Sequence, residues 1–484
     1  MTDKHDNPNP ILVEDLFTDA PARFKARATR PPPHAAHMWT EALEQAQAGW
    51  MDSPRILNSS GRFGDAPSFP INNAFRFAVV QGAKIRACDD LRASETNRSC
   101  KVIAPISLPS WEHVAQISND LLKSGRGLAF GKADESDAYK KLPLKAPDAF
   151  LAVITLQGPD GKWYVFTPRS QLFGSTAAVV HYNTFSRLLA SLFTRLFGIP
   201  LIGFFDDYGF LIFKSVMEES LSTFRQFCSI LGIDLSEKKC SVGTTNTFLG
   251  LKGVSPSKVN SCSLTISMGP EKSAKWSELI VDYLAKGSID RKSLDKLIGR
   301  FAFALTNIFG KFARSMISPL YLMLQERPFN ASISAQIREN LIWWGLMIRT
   351  GSSRKVVIHP SYPQYVVYTD ASWSFKKNRG GIAAILFDDK SGKILRTLSS
   401  PAPLKIVELF DESSAIYGLE LFALVSCFAV WQDILAGCQT TAYVDNDPSS
   451  NGLIRGAAKF PAAQKFIMRF WQLIYLKNMR VWFL

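Results

Sequence analysis

The sequence predicts an α+β protein of several units, and three features predict it. An apolar hairpin, GIPLIGFFDDYGFLIF, carries two acids at its tip; helix-period stretches at 182–197 and 216–232 flank it; and the last third alternates strand-like runs with a long apolar helix. Residues 1–60 are rich in Pro, Ala and Asn and include Pro31-Pro32-Pro33, which predicts a flexible or loosely docked extension. From 61 to 255, strand-like runs alternate with helices. From 256 to 350 the chain turns helical, because LDKLIGRFAFALTNIFGKFARSMISPLYLML spaces its apolar residues three and four apart with Lys and Arg between them. Gly351-Ser352-Ser353-Arg354-Lys355 opens a predicted linker over 351–361, and 362–484 forms the last unit.

The hairpin carries the first candidate chemistry. Asp206 and Asp207 are adjacent, and like charges held this close repel unless divalent cations occupy the space in front of them. Asp134, at the end of the strand-like LAFGKAD, is the candidate third acid. Carboxylates from different strands can clamp two Mg²⁺ ions that activate a 3′-hydroxyl and stabilise departing pyrophosphate. Taken alone, an Asp-Asp pair at a hairpin tip is more often a solvated turn than a catalytic site.

Ordered motifs give the acids a context. Asp134-Glu135-Ser136-Asp137-Ala138-Tyr139 and Phe204-Phe205-Asp206-Asp207 resemble the two catalytic blocks of the reverse transcriptases, in particular those of pararetroviruses and of retroelements of the DIRS or gypsy kind. Lys84-Ile85-Arg86, continuing to Asp90 and Arg92, resembles that family's fingers segment, and Leu172-Phe173-Gly174-Ser175 resembles its LPFG block. The stretch Leu231 to Cys240 and Phe248-Leu249-Gly250 resemble the next two blocks, in the same order. Phe204 stands where the family has Tyr, so the ring is kept and the hydroxyl lost.

The resemblance implies a right-hand polymerase, with fingers and palm over 61–255 and a helical thumb and connection over 256–350. It implies metal binding by Asp134, Asp206 and Asp207, and a triphosphate held by Lys84 and Arg86 from one side and the amides of Asp137 and Ala138 from the other. Tyr139 would screen the sugar 2′ position, Phe173 and Gly174 would lie under the templating base pair, and Lys239 would sit near the leaving pyrophosphate. Each has a plainer structural alternative: a solvated strand face for Lys84 and Arg86, core packing for Tyr139, a turn for Phe173 and Gly174, surface decoration for Lys239. Lys292, Lys296, Arg300, Lys311 and Arg314 would face duplex backbone, or simply solvent.

A second constellation follows. Val366 to Ser372 reads as a strand ending in Asp370, the helix around Ile416 to Trp431 carries Glu420 in apolar company, and Thr441 to Asn446 is a strand ending in Asp445. An acid in such a helix is costly unless paired or metal-bound. These blocks resemble the ribonuclease H fold that follows retroelement polymerases, which implies Asp370, Glu420 and Asp445 as ligands of two further Mg²⁺ ions for RNA-strand hydrolysis in a hybrid. The family's fourth, later acid has no counterpart near Leu484, so the domain is expected to be C-terminally incomplete. A scaffold that only packs on the polymerase is the alternative.

Composition fits this reading. A net charge of +14 over 484 residues suits binding of phosphate backbones, here an RNA or DNA template-primer with deoxynucleotide triphosphates. Seven scattered cysteines without CxxC spacing argue against a disulfide framework or zinc knuckle and for an intracellular setting, cytoplasm or nucleus. The polar start MTDKHDNPNPI is no signal peptide, and no uncharged apolar run is long enough for a membrane span. His34 and His37 lack further ligands nearby, which disfavours a metal site there. The expected function is an RNA-directed DNA polymerase; the alternatives are a catalytically defective or domesticated element copy that binds nucleic acid, and a DNA-templated polymerase sharing only the palm.

Overall fold

The computed structural model describes residues 11–28, 32–58, 71–82, 84–100, 106–254, 263–350, 353–357, 362–377 and 379–484. The chain divides into two compact units, one of residues 1–109 and 128–249, the other of 110–127 and 250–484.

The first unit holds two sheets. A five-stranded sheet runs in the order Arg55–Ile56, Trp163–Phe166, Val153–Gln157, Asn73–Gln81, Lys84–Asp89. The stretch expected as a loose extension folds into it, because its apolar residues recur at helical spacing. The helix Val13–Arg27 buries Leu16, Ala20 and Phe24, and the helix Ala35–Gln47 buries Met38 and Ala42. Phe24 packs with Leu57, Val153 and Val165, while Met38 and Ala42 pack with Ala74, Ile154 and Phe166. Of that stretch, residues 1–10, 29–31, 59 and 60 lie outside the described residues.

The second sheet of this unit positions the acids. It is antiparallel throughout, in the order Leu201–Phe204, Asp207–Phe213, Leu128–Asp134, Ser241–Gly243. The helices Thr176–Phe197 and Met217–Ile230, close to the expected 182–197 and 216–232, bury Phe193, Phe224 and Phe227 against Tyr208 and Phe210. Ser175 caps the first by accepting from Ala178 N, and Gly198 ends it in the left-handed region. Gly131 has no room for a side chain, since a Cβ there would fall within 2.0 Å of the ring of its cross-strand neighbour Phe210.

In the second unit, the strands Leu251–Val254, Ser263–Ser267 and Ser353–Val357 form an antiparallel ladder. The expected linker is therefore partly a strand: Ser353, Arg354 and Lys355 face Ser267, Ile266 and Thr265, and Arg354 also pairs with Glu112 on the helix Trp111–Leu122. Gly351, Ser352 and 358–361 lie outside the described residues. That helix falls in the second unit, where its Trp111 is buried, rather than with the neighbouring sequence as the span 61–255 implied.

The helices Pro270–Lys286, Arg291–Ala304, Lys311–Gln325 and Ala335–Arg349 follow, with Phe301 stacked on Trp344 at 4.1 Å between ring centroids. Lys292, Lys296 and Arg314 are exposed and Arg300 is half-buried, opposite the buried Leu294, Leu297 and Ile298; the Lys311 side chain lies outside the described residues.

The last sheet has the order Ile394–Pro401, Arg379–Asp388, Gln364–Ser374, Gln439–Val444, Arg480–Phe483, with its last two pairings parallel. The helix Ala415–Val430 packs on it, and Pro461–Leu476 packs both on that helix and on Lys311–Gln325. Gln464 Nε2 donates to Ser315 O at 3.0 Å, so the regions expected as separate units, 256–350 and 362–484, share a core. Among the described residues no helix is long and apolar enough to cross a membrane.

Phe224 is fully buried between Phe193 and Tyr208, with centroids 5.0 and 5.4 Å away. Phe224→Ala is expected to cost about 3–5 kcal/mol. Ile230→Ala, at a site 83% exposed, should stay within about 0.5 kcal/mol of wild type in the same urea titration.

Candidate functional site

Strand register brings the first trio of acids to one end of the four-stranded sheet. Asp134 lies directly opposite Asp207, and Phe204, which ends the neighbouring strand, also faces Asp207. Asp206 occupies the turn between them, where Phe205 adopts a left-handed φ of 51°. Two backbone bonds lock the arrangement: Glu135 N donates to Asp206 O at 2.9 Å, and Ser236 N donates to Asp134 O at 2.8 Å.

Lysines moderate the charge. Lys239 Nζ donates to Asp134 Oδ1 at 2.5 Å, and Lys132 Nζ lies 3.3 Å from Asp207 Oδ1. Burial, reinforced by Asp134, raises the pKa of Asp206; burial raises that of Asp207 too, against the pull of Lys132. The bond to Asp134 raises the pKa of Lys239. All three acids offer hard carboxylate oxygens, the donor type Mg²⁺ takes.

Asp134 and Asp206 open onto a cleft of about 880 Å³ lined by first-unit residues. Arg86, Asp137, Ala138, Tyr139, Phe173 and Lys239 line it. Asp137 has a left-handed φ of 54° and starts the short helix Ala138–Lys141. Tyr139 is held edge-on by Phe173, centroids 5.9 Å apart, and tilted against Tyr182 at 4.9 Å. Gly174, at φ 100°, is needed where a Cβ would come 3.2 Å from Asp89 O. Lys84 departs from expectation. It is exposed at the turn end of its strand, paired with Gln81, and is not among the residues lining the cleft.

The sequence reading missed several residues at or beside the cleft. Lys132 sits two residues before Asp134 on a strand, hence on the same face, a signal available in the sequence. Glu135 is buried, accepts from the Tyr182 and Tyr208 hydroxyls, and has its pKa pushed up to about 7 by that burial. His37, Glu41 and Gln45 reach the cleft from the helix Ala35–Gln47, and Arg76 is clamped on Asp89 at 2.8 and 3.2 Å. Glu135 stands inside the quoted block without a role assigned to it, and no local motif pointed to His37, Glu41, Gln45 or Arg76.

The second trio closes more tightly. Asp370, Glu420 and Asp445 bring ligand oxygens all within 4.8 Å of one another, and among the described residues this is the one acidic cluster to do so. The strand bearing Asp370 continues to Ser374 rather than ending at the acid, with Asp370 opposite Ala383. Glu420 comes from the helix Ala415–Val430, and Asp445 follows the strand Gln439–Val444. Glu420 Oε1 accepts from Ala371 N at 2.9 Å, while its Oε2 is buried without a hydrogen-bond partner. Such an orphaned oxygen beside two exposed carboxylates suits a divalent cation. Burial pushes the Glu420 pKa up to about 7, and Asp445 and Asp370 add to it. Asp447, two residues beyond Asp445 and overlooked in the sequence reading, lines the same 700 Å³ pocket.

No family model and no curated protein matches the chain. Similar solved structures include the foamy viral protease-reverse transcriptase dRH in complex with double-stranded DNA, 15% identical over 99% of this chain and 82% of that one, with a TM-score of 0.44. A second, foamy viral protease-reverse transcriptase in complex with double-stranded DNA, is 15% identical over 98% of this chain and 97% of that one, with a TM-score of 0.41. At such scores neither likeness says what this chain does.

A raised Glu420 pKa makes the folded state bind a proton more tightly than the unfolded one. Its stabilising contribution is therefore full below the unfolded value of 4.5 and lost as pH rises through about 7. In chelator, the melting temperature of Glu420→Gln is expected to fall less than that of wild type across this window. Added Mg²⁺ at about pH 8 should raise the wild-type melting temperature more than that of the variant.

Proposed function

We propose that the chain is an RNA-directed DNA polymerase of the retroelement reverse transcriptase kind. The observation that carries the proposal is the single cleft in which Asp134 and Asp206 meet Arg86, Tyr139, Phe173 and Lys239. An acid pair, a cation, an aromatic wall and an apolar floor are the parts a nucleotidyl transfer site needs. Asp134, Asp206 and Asp207 would hold Mg²⁺ ions, which supply charge stabilisation to the reacting phosphate. The chain's own groups would do the rest: the Tyr139 ring would exclude a 2′-hydroxyl, Phe173 would floor the base pair, and the Lys239 ammonium would leave Asp134 and pair with the departing pyrophosphate.

The second trio supports hydrolysis of the RNA strand in a hybrid, with Asp370, Glu420 and Asp445 as ligands and Asp447 as a further nearby acid. A non-catalytic reading, a domesticated nucleic-acid-binding protein, is favoured by one observation: Lys239 and Lys132 already neutralise two polymerase carboxylates. Primer extension on RNA and DNA templates separates the readings. Wild type should extend on RNA, and Asp206→Asn or Asp134→Asn should lose about 10³-fold or more in rate while binding template-primer within about threefold of wild type. Absence of extension by wild type with intact binding would favour the non-catalytic protein.

A further inference from the structure

The cleft holds four Lys and Arg residues, Arg76, Arg86, Lys140 and Lys239, and two of them are already engaged. Arg76 is clamped bidentately on Asp89, and Lys239 is bonded to Asp134. Lys140 is different. It lines the same cleft, one residue beyond Tyr139, and its ammonium has no hydrogen bond or ion pair among the described residues. Its backbone is fixed, with its N–H donating to Asp137 O at 2.8 Å, so the side chain projects from a rigid turn.

Position strengthens the case. Lys140 and Asp134 are carried by one continuous segment, the strand Leu128–Asp134 running through Asp137 into the helix Ala138–Lys141. A group bound by the acids is therefore within the same walled space as this ammonium. The charged groups facing Lys140 are Asp89, already spent on Arg76, together with Glu41, Asp137 and Arg76 itself. Burial lowers the Lys140 pKa despite these acids, the signature of a cation lacking a full counter-charge. Lys84, by contrast, is exposed and does not line the cleft.

We propose that Lys140, with Arg86, receives the polyphosphate of the incoming nucleotide, the role for which the sequence motif pointed to Lys84. The assignment rests on the polymerase reading for its nucleotide, but the chemistry it names, a polyphosphate anion, can be tested without catalysis. Lys140 would bring a compact point charge and Arg86 a planar fork. A charge-assisted bond lost from such a site costs about tenfold or more in affinity.

The test is calorimetric titration of the full chain with inorganic tripolyphosphate in the presence of Mg²⁺. Lys140→Met should weaken binding about tenfold or more, Lys140→Arg should stay within about threefold of wild type, and Lys84→Met should leave it unchanged. The inference is overturned if Lys140→Met binds as wild type does, if Lys84→Met takes the loss, or if wild type binds no tripolyphosphate. Lys140→Arg keeps the charge, and a melting temperature of Lys140→Met close to that of wild type shows that the loss is of the ammonium and not of the fold. Failure of the polymerase reading would look different: tripolyphosphate binding would depend on Lys140, and wild type would extend no primer.

Discussion

Everything at the first acidic site depends on one cross-strand pair, Asp134 opposite Asp207, with Asp206 one residue away. Like charges placed opposite each other destabilise an antiparallel pair, so something must hold them together. Here the holding is done from behind: Tyr208 and Phe210, on the same strand as Asp207, are buried among Phe193, Phe224 and Phe227. A one-residue slip would turn those rings to the opposite face and scatter the acids, so the core fixes the register and the register fixes the site. Lys132 and Lys239 then relieve the repulsion from the sides.

The two acidic trios manage the same difficulty in different ways. At the first, lysines neutralise carboxylates that a cation could take over, and the cleft wall adds further cations for an anionic substrate. At the second, no lysine is paired to the trio among the described residues; the acids lie within 4.8 Å of one another, and burial, with a smaller push from Asp445 and Asp370, raises the Glu420 pKa to about 7.

Legibility in the sequence followed locality. The hairpin was readable because Asp206 and Asp207 interrupt two apolar strands, and Glu420 because an acid stands out in the apolar segment Ala415–Val430. Tyr139 and Phe173 were found through motif order, and the structure brings them into contact. What stayed hidden is non-local. Pro-rich composition concealed the amphipathic Val13–Arg27 and Ala35–Gln47, whose burial depends in part on Ile154, Val165 and Phe166, more than a hundred residues away. Gly351-Ser352 suggested a linker, but the residues after them are claimed by the strand Ser263–Ser267, a pairing no local pattern announces. The displacement of Lys84 from the cleft is a further case, since strand position alone cannot tell which end of a hairpin faces the acids.

The most direct test of metal binding by Asp134, Asp206 and Asp207 is the anomalous scattering of Mn²⁺ in crystals of the protein with template-primer and a non-hydrolysable deoxynucleotide triphosphate. Manganese peaks about 2–2.5 Å from carboxylate oxygens of Asp134 and Asp206, with Lys239 released from Asp134, are the predicted result. Manganese confined to Asp370, Glu420 and Asp445, with the Lys239 to Asp134 bond intact, would contradict it.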